Sequence, residues 1–166
     1  MLHQFKDCSG ESDDYLEIGS EEGDGRVSIF FNVEGFDGRP FIQLGLERNL
    51  EQLADWLRQA VVALRSQTST DTLTLWDFST SYSDSDDIDR VHFTVRSKEV
   101  HIIYDSENLP VGSPIPFIPV ELSQVKKLAA DVVAMVQPAK DLAARENAAA
   151  MAVIWERNGV YRNLHA

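Results

Sequence analysis

Two stretches of this 166-residue chain repeat one pattern, and that repetition constrains the fold more than any other feature. Pro40-Phe41-Ile42-Gln43-Leu44-Gly45-Leu46 reads against Pro116-Phe117-Ile118-Pro119-Val120-Glu121-Leu122. In each, three apolar residues alternate strictly (Ile42, Leu44, Leu46; Ile118, Val120, Leu122), the period of a half-buried strand. An amphipathic helix follows each. The apolar positions of the first are Leu50, Leu53, Ala54, Leu57, Val61 and Leu64; those of the second are Val125, Leu128, Ala129, Val132 and Val136. Both sets keep the i, i+3, i+4, i+7 spacing of one helix face. Upstream, Arg26-Val27 and Arg90-Val91 each open an alternating stretch. The reading is two diverged strand–strand–helix units, about 15–67 and 72–137, in one domain over 1–166.

The remaining segments fill in this frame. Residues 15–18 and 72–78 read as strands, and 79–89 (STSYSDSDDID) as a polar acidic loop. Residues 91–96 and 99–104 read as a hairpin about Ser97-Lys98. That register sets Val91, Phe93 and Val95 opposite Tyr104, Ile102 and Val100, and pairs Arg96 with Glu99 and Arg90 with Asp105. Ser-Lys is not a favoured hairpin turn. Asn49 is placed to cap the first long helix, with Gln52 completing a capping box. Residues 105–115, with Pro110, Gly112 and Pro114, read as a connector. Pro138 suits the first turn of a separate last helix over about 138–158, with Gly159 as its stop. Runs of strands followed by a helix, twice, predict an α+β fold with a mainly antiparallel sheet, helices on one face, and a C-terminal helix.

Charge sets the functional expectation. The net charge is −12, and it lies outside the segments read as helices. Residues 1–47 hold eleven carboxylates against three cations, and residues 68–110 hold nine against three. Residues 48–67 and 111–166 each carry a net +1. Such a field attracts a basic partner and repels nucleic acid and anionic membrane. A hydrophobic fraction of 43% separates the chain from disordered acidic tails. No apolar run reaches the roughly 20 residues needed to span a bilayer, and the amino end lacks the apolar stretch of a signal peptide. The lone cysteine, Cys8, fits a reducing compartment. A soluble, cytoplasmic protein is expected.

Motifs for chemistry are few. Residues 84–89 (DSDDID) resemble the start of a calcium loop but fail its pattern. Ile88 takes the third ligand position, Asp89 replaces the required glycine, and Val95 stands where the bidentate Glu belongs. Gly23-Asp24-Gly25-Arg26 lacks the third glycine of a phosphate-binding turn and precedes a strand. His92 and His101 fall diagonally on one face of the hairpin, without a third ligand to make a zinc site. They read as sheet-surface histidines, and His3 and His165 as residues of loose termini. Asp7 and Glu11 beside Cys8 raise its pKa and disfavour a reactive thiolate. Trp56 falls at the edge of the first helix's apolar stripe, Trp76 on the strand face away from Leu73 and Leu75, and Trp155 on the last helix.

The reading is a non-enzymatic acidic module that docks on a basic protein surface. Its sharpest form is an inhibitor of immunity or anti-defence type that imitates nucleic acid and occupies a nuclease or similar partner. The carboxylates expected to meet that partner are Asp13, Asp14, Glu21, Glu22, Asp24, Asp84, Asp86, Asp87 and Asp89. No catalytic residue, metal or cofactor is implied. The alternatives are a small carboxylate- or metal-dependent enzyme using His92 and His101, and a self-associating assembly protein. In the latter a homodimer forms through the C-terminal helix (Leu142, Ala149, Ala152, Val153).

Overall fold

Alternating apolar residues mark most of the strands of this chain, and the strands sort into two sheets. A computed structural model describes residues 2–20, 27–34, 41–44, 47–77, 89–106 and 117–164. In chain order the elements are β1 (Leu2–Lys6), β2 (Tyr15–Ser20), β3 (Val27–Asn32), β4 (Phe41–Leu44) and α1 (Glu47–Ser66). There follow β5 (Leu73–Trp76), β6 (Arg90–Arg96), β7 (Glu99–Asp105), β8 (Phe117–Glu121) and α2 (Leu122–Leu164). The fold is α+β, with two antiparallel sheets of order β1-β2-β3-β4 and β5-β6-β7-β8.

One sheet was expected where there are two. The break falls where β4 approaches β5. The Gln43 N–H donates to Asp77 Oδ1 (2.9 Å), so a side chain takes the amide that another strand would need. At the opposite flank β1 approaches β8, and the Cys8 N–H donates to the Pro119 carbonyl (3.0 Å). Each half is also larger than a strand–strand–helix unit, being four strands and a helix. Phe41 and Phe117 both open the last strand of a sheet, so that correspondence holds. The Arg-Val correspondence does not, because Val27 opens a third strand and Arg90 a second.

The hairpin β6–β7 has the expected register, from Arg90 opposite Asp105 to Arg96 opposite Glu99. Ser97 adopts φ 55°, which lets an unfavoured dipeptide make the tight turn. Strand β1 had no counterpart in the sequence reading. Phe5 is buried and registers with Leu16, and His3 registers with Ile18, so this end of the chain is tied into a sheet.

In α1 the buried set is Leu50, Leu53, Ala54, Leu57 and Leu64, joined by Trp56, Ala60 and Ala63. The helix begins at Glu47, so Asn49 lies inside its first turn and is not its cap. Its end is a Schellman arrangement: Gln67 takes φ 53°, and the Thr68 N–H donates to the Ala63 carbonyl (2.9 Å). Trp56 reaches beyond the helix. Its indole N–H donates to the Asp71 carbonyl (2.6 Å), and its ring packs on Phe93 of β6 at 5.9 Å between centroids. Across the sheets, Phe31 of β3 meets Tyr104 of β7 at 5.7 Å. Both sheets and both helices thus contribute to one continuous core. Burying a Phe such as Phe93 contributes about 1.5–3 kcal/mol.

Helix α2 is unbroken across 43 residues, about 65 Å. Pro138 does not start a new helix. It sits exposed inside this one, where the ring costs about 3 kcal/mol in a free helix. Packing on both sides carries the helix through: Val132 before it and Ala139 after it are buried, and Lys140 pairs with Glu51 of α1. Gly159 does not stop it either, since one glycine costs only about 1 kcal/mol.

The αL position at Gln67 is the least favourable backbone choice in the α1 cap. Gln67→Gly should therefore raise stability by about 0.5–1 kcal/mol, read as a higher urea midpoint at unchanged slope.

Candidate functional site

Carboxylates gather where the β1–β2 connection meets the end of β3. The connection folds on itself. Asp7 Oδ1 accepts the Ser9 N–H (2.6 Å), Asp7 Oδ2 accepts the Ser12 hydroxyl (3.1 Å), and the Asp7 N–H donates to the Asp14 carbonyl (3.0 Å). Gly10 holds φ 72° with open space around it, a conformation that suits glycine in this tight bend. Asp14 Oδ1 accepts the Glu34 N–H (2.8 Å), which brings the chain after β3 to the same place. Asp7, Glu11, Asp13, Asp14 and Glu34 therefore share one end of the first sheet. None of the five makes an ion pair among the described residues.

The second sheet adds to this end. Glu99 and Glu121 stand directly opposite on β7 and β8, a like-charge pairing that costs stability in a ladder. Their field is felt at Cys8. The thiol pKa is pushed up to about 11, first by burial, then by Glu99, Asp7 and Glu121. The expected suppression of the thiolate is present, with burial as its leading cause and acidic neighbours second.

Of the nine carboxylates expected to meet a partner, Asp13 is exposed and Asp14 is half-buried at this end. Asp89 is elsewhere and faces inward. Its carbonyl accepts the Asp77 N–H (2.8 Å), and its carboxylate accepts the Tyr104 hydroxyl. Burial and this acceptor push the Tyr104 pKa up to about 12. Glu21, Glu22, Asp24, Asp84, Asp86 and Asp87 lie outside the described residues, as do the glycine-rich turn and the calcium-like run before Asp89. Sequence reasoning missed Asp7, Glu34, Glu99 and Glu121 as members of one group. The signal for Asp7 was the Asp-x-Ser spacing of an Asx turn; the others are joined only by tertiary contact.

A second cluster lies on the outer face of β5, β6 and β7. The His92 Nε2–H donates to Asp105 Oδ2 (2.9 Å), leaving Nδ1 to accept the Thr74 hydroxyl (2.8 Å). Arg90 Nε is 3.3 Å from the same Asp105 oxygen, and its guanidinium lies 5.0 Å over the Trp76 ring. His101 donates to Glu99 (3.0 Å) and stacks on Phe117 at 5.5 Å. The two histidines share a face, as their register requires, but turn to separate carboxylates. Among the described residues no group of three or more His, Cys, Asp or Glu can hold a metal. Hydroxyl, imidazole and carboxylate follow one another as in a nucleophile relay, yet here they lie on an open sheet face. The two hollows beside α1, about 550 and 570 Å³, are lined by other residues, among them the paired Asp55 and Arg58.

No helix among the described residues is long and apolar enough to cross a membrane. Comparison with protein-family models, with curated proteins and with solved structures yields no match.

The raised pKa values have a signed consequence. Cys8 and Tyr104 are neutral when protonated, and the fold holds their protons more tightly than the unfolded chain does. Their stabilisation is complete below pH about 9 and is lost as pH rises toward 11 for Cys8 and toward 12 for Tyr104. Thermal unfolding should move to lower temperature from pH 9 upward, and Cys8→Ser with Tyr104→Phe should flatten that fall. At neutral pH native Cys8 should react with iodoacetamide about a hundredfold more slowly than in the unfolded chain.

Proposed function

We propose that the protein is a non-enzymatic module whose acidic end docks on a basic protein surface. The observation that carries this reading is the set Asp7, Glu11, Asp13, Asp14 and Glu34, gathered by backbone and side-chain hydrogen bonds and without an ion pair among the described residues. Elsewhere three described acids meet cations: Asp55 with Arg58, Glu51 with Lys140, and Asp105 with Arg90. Carboxylates clustered at one end raise the local potential, speed encounter with a cationic surface, and reject polyanions.

The partner class that fits is a protein that binds nucleic acid, whose Lys and Arg would otherwise meet phosphates. Inhibition by imitation of nucleic acid is the function this supports. Asp84, Asp86 and Asp87, expected from the sequence to meet the same partner, add to the negative charge of the chain. A reducing, cytoplasmic setting suits the single thiol. Half-exposed Trp76 and Phe117 are available as apolar anchors, which set affinity where charge sets rate.

The test uses exposed members that make no side-chain bond holding the turn. Affinity capture with the full chain should retain a protein of high isoelectric point that elutes with salt. Glu11→Gln, Asp13→Asn and Glu34→Gln together should slow its association several-fold at low salt, with little effect at high salt. A captured partner whose binding ignores both the triple variant and added salt would sink the proposal.

A further inference from the structure

One strip of the second sheet continues the acidic end and carries an aromatic ring in water. On β7 and β8, Glu99 stands opposite Glu121 and His101 opposite Pro119. Alternate residues of a strand share a side, so Phe117, which opens β8, lies on the same outer face as Glu121. About 13 Å of strand separates the two. Side chains tie the strip together. The His101 Nε2–H donates to Glu99 Oε2 (3.0 Å), and the His101 ring stacks on Phe117 at 5.5 Å with 25° between the planes. Phe117 is still 45% exposed.

Two features of this strip oppose stability. A large apolar ring stays in water, and two carboxylates face each other across a ladder. Glu121 Oε1 accepts the Ser123 hydroxyl (2.7 Å) and Glu99 accepts from His101, so hydrogen bonds hold both acids in place. Arg96 is level with Glu99 on β6 and Lys98 precedes it in the turn, yet neither makes an ion pair among the described residues. A guanidinium from outside answers both features at once. Its planar fork binds carboxylates through parallel hydrogen bonds, and its flat face stacks on an aromatic ring. An ammonium supplies charge without the flat face.

The other half-exposed ring offers no such seat. Arg90 lies 5.0 Å over Trp76 and reaches Asp105 (3.3 Å), so a cation of the protein itself already covers that ring and repels a second. The Trp76–Arg90–Asp105 row also crosses the sheet at the far end from Glu99 and Glu121. We propose that arginine side chains of the basic partner seat on the strip from Phe117 to the Glu99–Glu121 pair, with Phe117 as the anchor. This presupposes that the acidic end docks on a basic protein, and it adds a second footing and a preference for arginine over lysine.

Nona-arginine and nona-lysine, added at low salt to the full chain, are the probes. Followed by amide chemical shifts, nona-arginine should move Glu99, His101, Phe117 and Glu121 together with the β1–β2 connection, and Trp76 less. It should bind about threefold more tightly than nona-lysine. Phe117→Leu, which keeps the position apolar, should erase most of that preference by weakening nona-arginine alone. Trp76→Leu should weaken it less. Glu99→Gln with Glu121→Gln should weaken both peptides and raise the urea midpoint of the free protein. Shifts confined to the β1–β2 connection and Glu34 overturn the strip and leave the acidic end as the docking site. Shifts at neither place overturn both. Equal weakening of the two peptides by Phe117→Leu overturns arginine stacking, and a Trp76→Leu loss as large as that of Phe117→Leu overturns the choice of anchor. Unchanged affinity in the double glutamine variant overturns the strip as a footing.

Discussion

The contact of Trp56 with Phe93 is the constraint on which the rest of the molecule depends. It joins the helix of the first half to the sheet of the second. A four-stranded sheet with one helix is small enough that its own core is marginal. Here α1 lies closest to β5, β6 and α2, so the helix that ends the first half serves as cover for the second. The indole N–H is satisfied by Asp71, just before β5, which fixes where the second sheet begins relative to α1. Tyr104 against Phe31 closes the core from the sheet side.

The placement of charge follows from that interlock. The sheets adjoin at two flanks, and each is finished with a polar device: Asp77 on the β4 amide, and Cys8 on the Pro119 carbonyl. The second flank brings the β1–β2 connection beside β7 and β8. Acids far apart in the chain, Asp7 with Glu99 and Glu121, thereby act on one thiol. The opposed Glu99 and Glu121 lower stability in return for field strength at that end. The helices carry little of this charge, and Asp55 and Glu51 of α1 are matched with Arg58 and Lys140.

Several elements were legible because their signals are local. The β6–β7 register follows from two opposite-charge pairs and three apolar pairs, all within the sixteen residues from Arg90 to Asp105. Both helix faces follow from spacing alone. Strand β1 was not legible, because a single Phe5 between polar neighbours makes no alternating pattern; only pairing with β2 defines it. Pro138 and Gly159 are strong local signals that tertiary structure overrode. Val132, Ala139 and the Glu51–Lys140 pair hold the helix straight through the proline. The candidate site was half legible. Asp13 and Asp14 were visible as part of a charge run, whereas nothing local says that the Asp89 carboxylate accepts from Tyr104.

The sequence by itself determined what depends on near neighbours: alternation for strands, a 3.6-residue period for helices, hairpin pairing, and the separation of acidic sheet segments from near-neutral helices. Tertiary structure alone decided that the eight described strands make two sheets, that α1 covers its neighbour's half, and that α2 runs unbroken through Pro138. It also decided which carboxylates stand together. The reason is the range of the forces involved. Backbone geometry and side-chain period act over a few residues, whereas burial and Coulomb interactions depend on distance in space, whatever the separation along the chain.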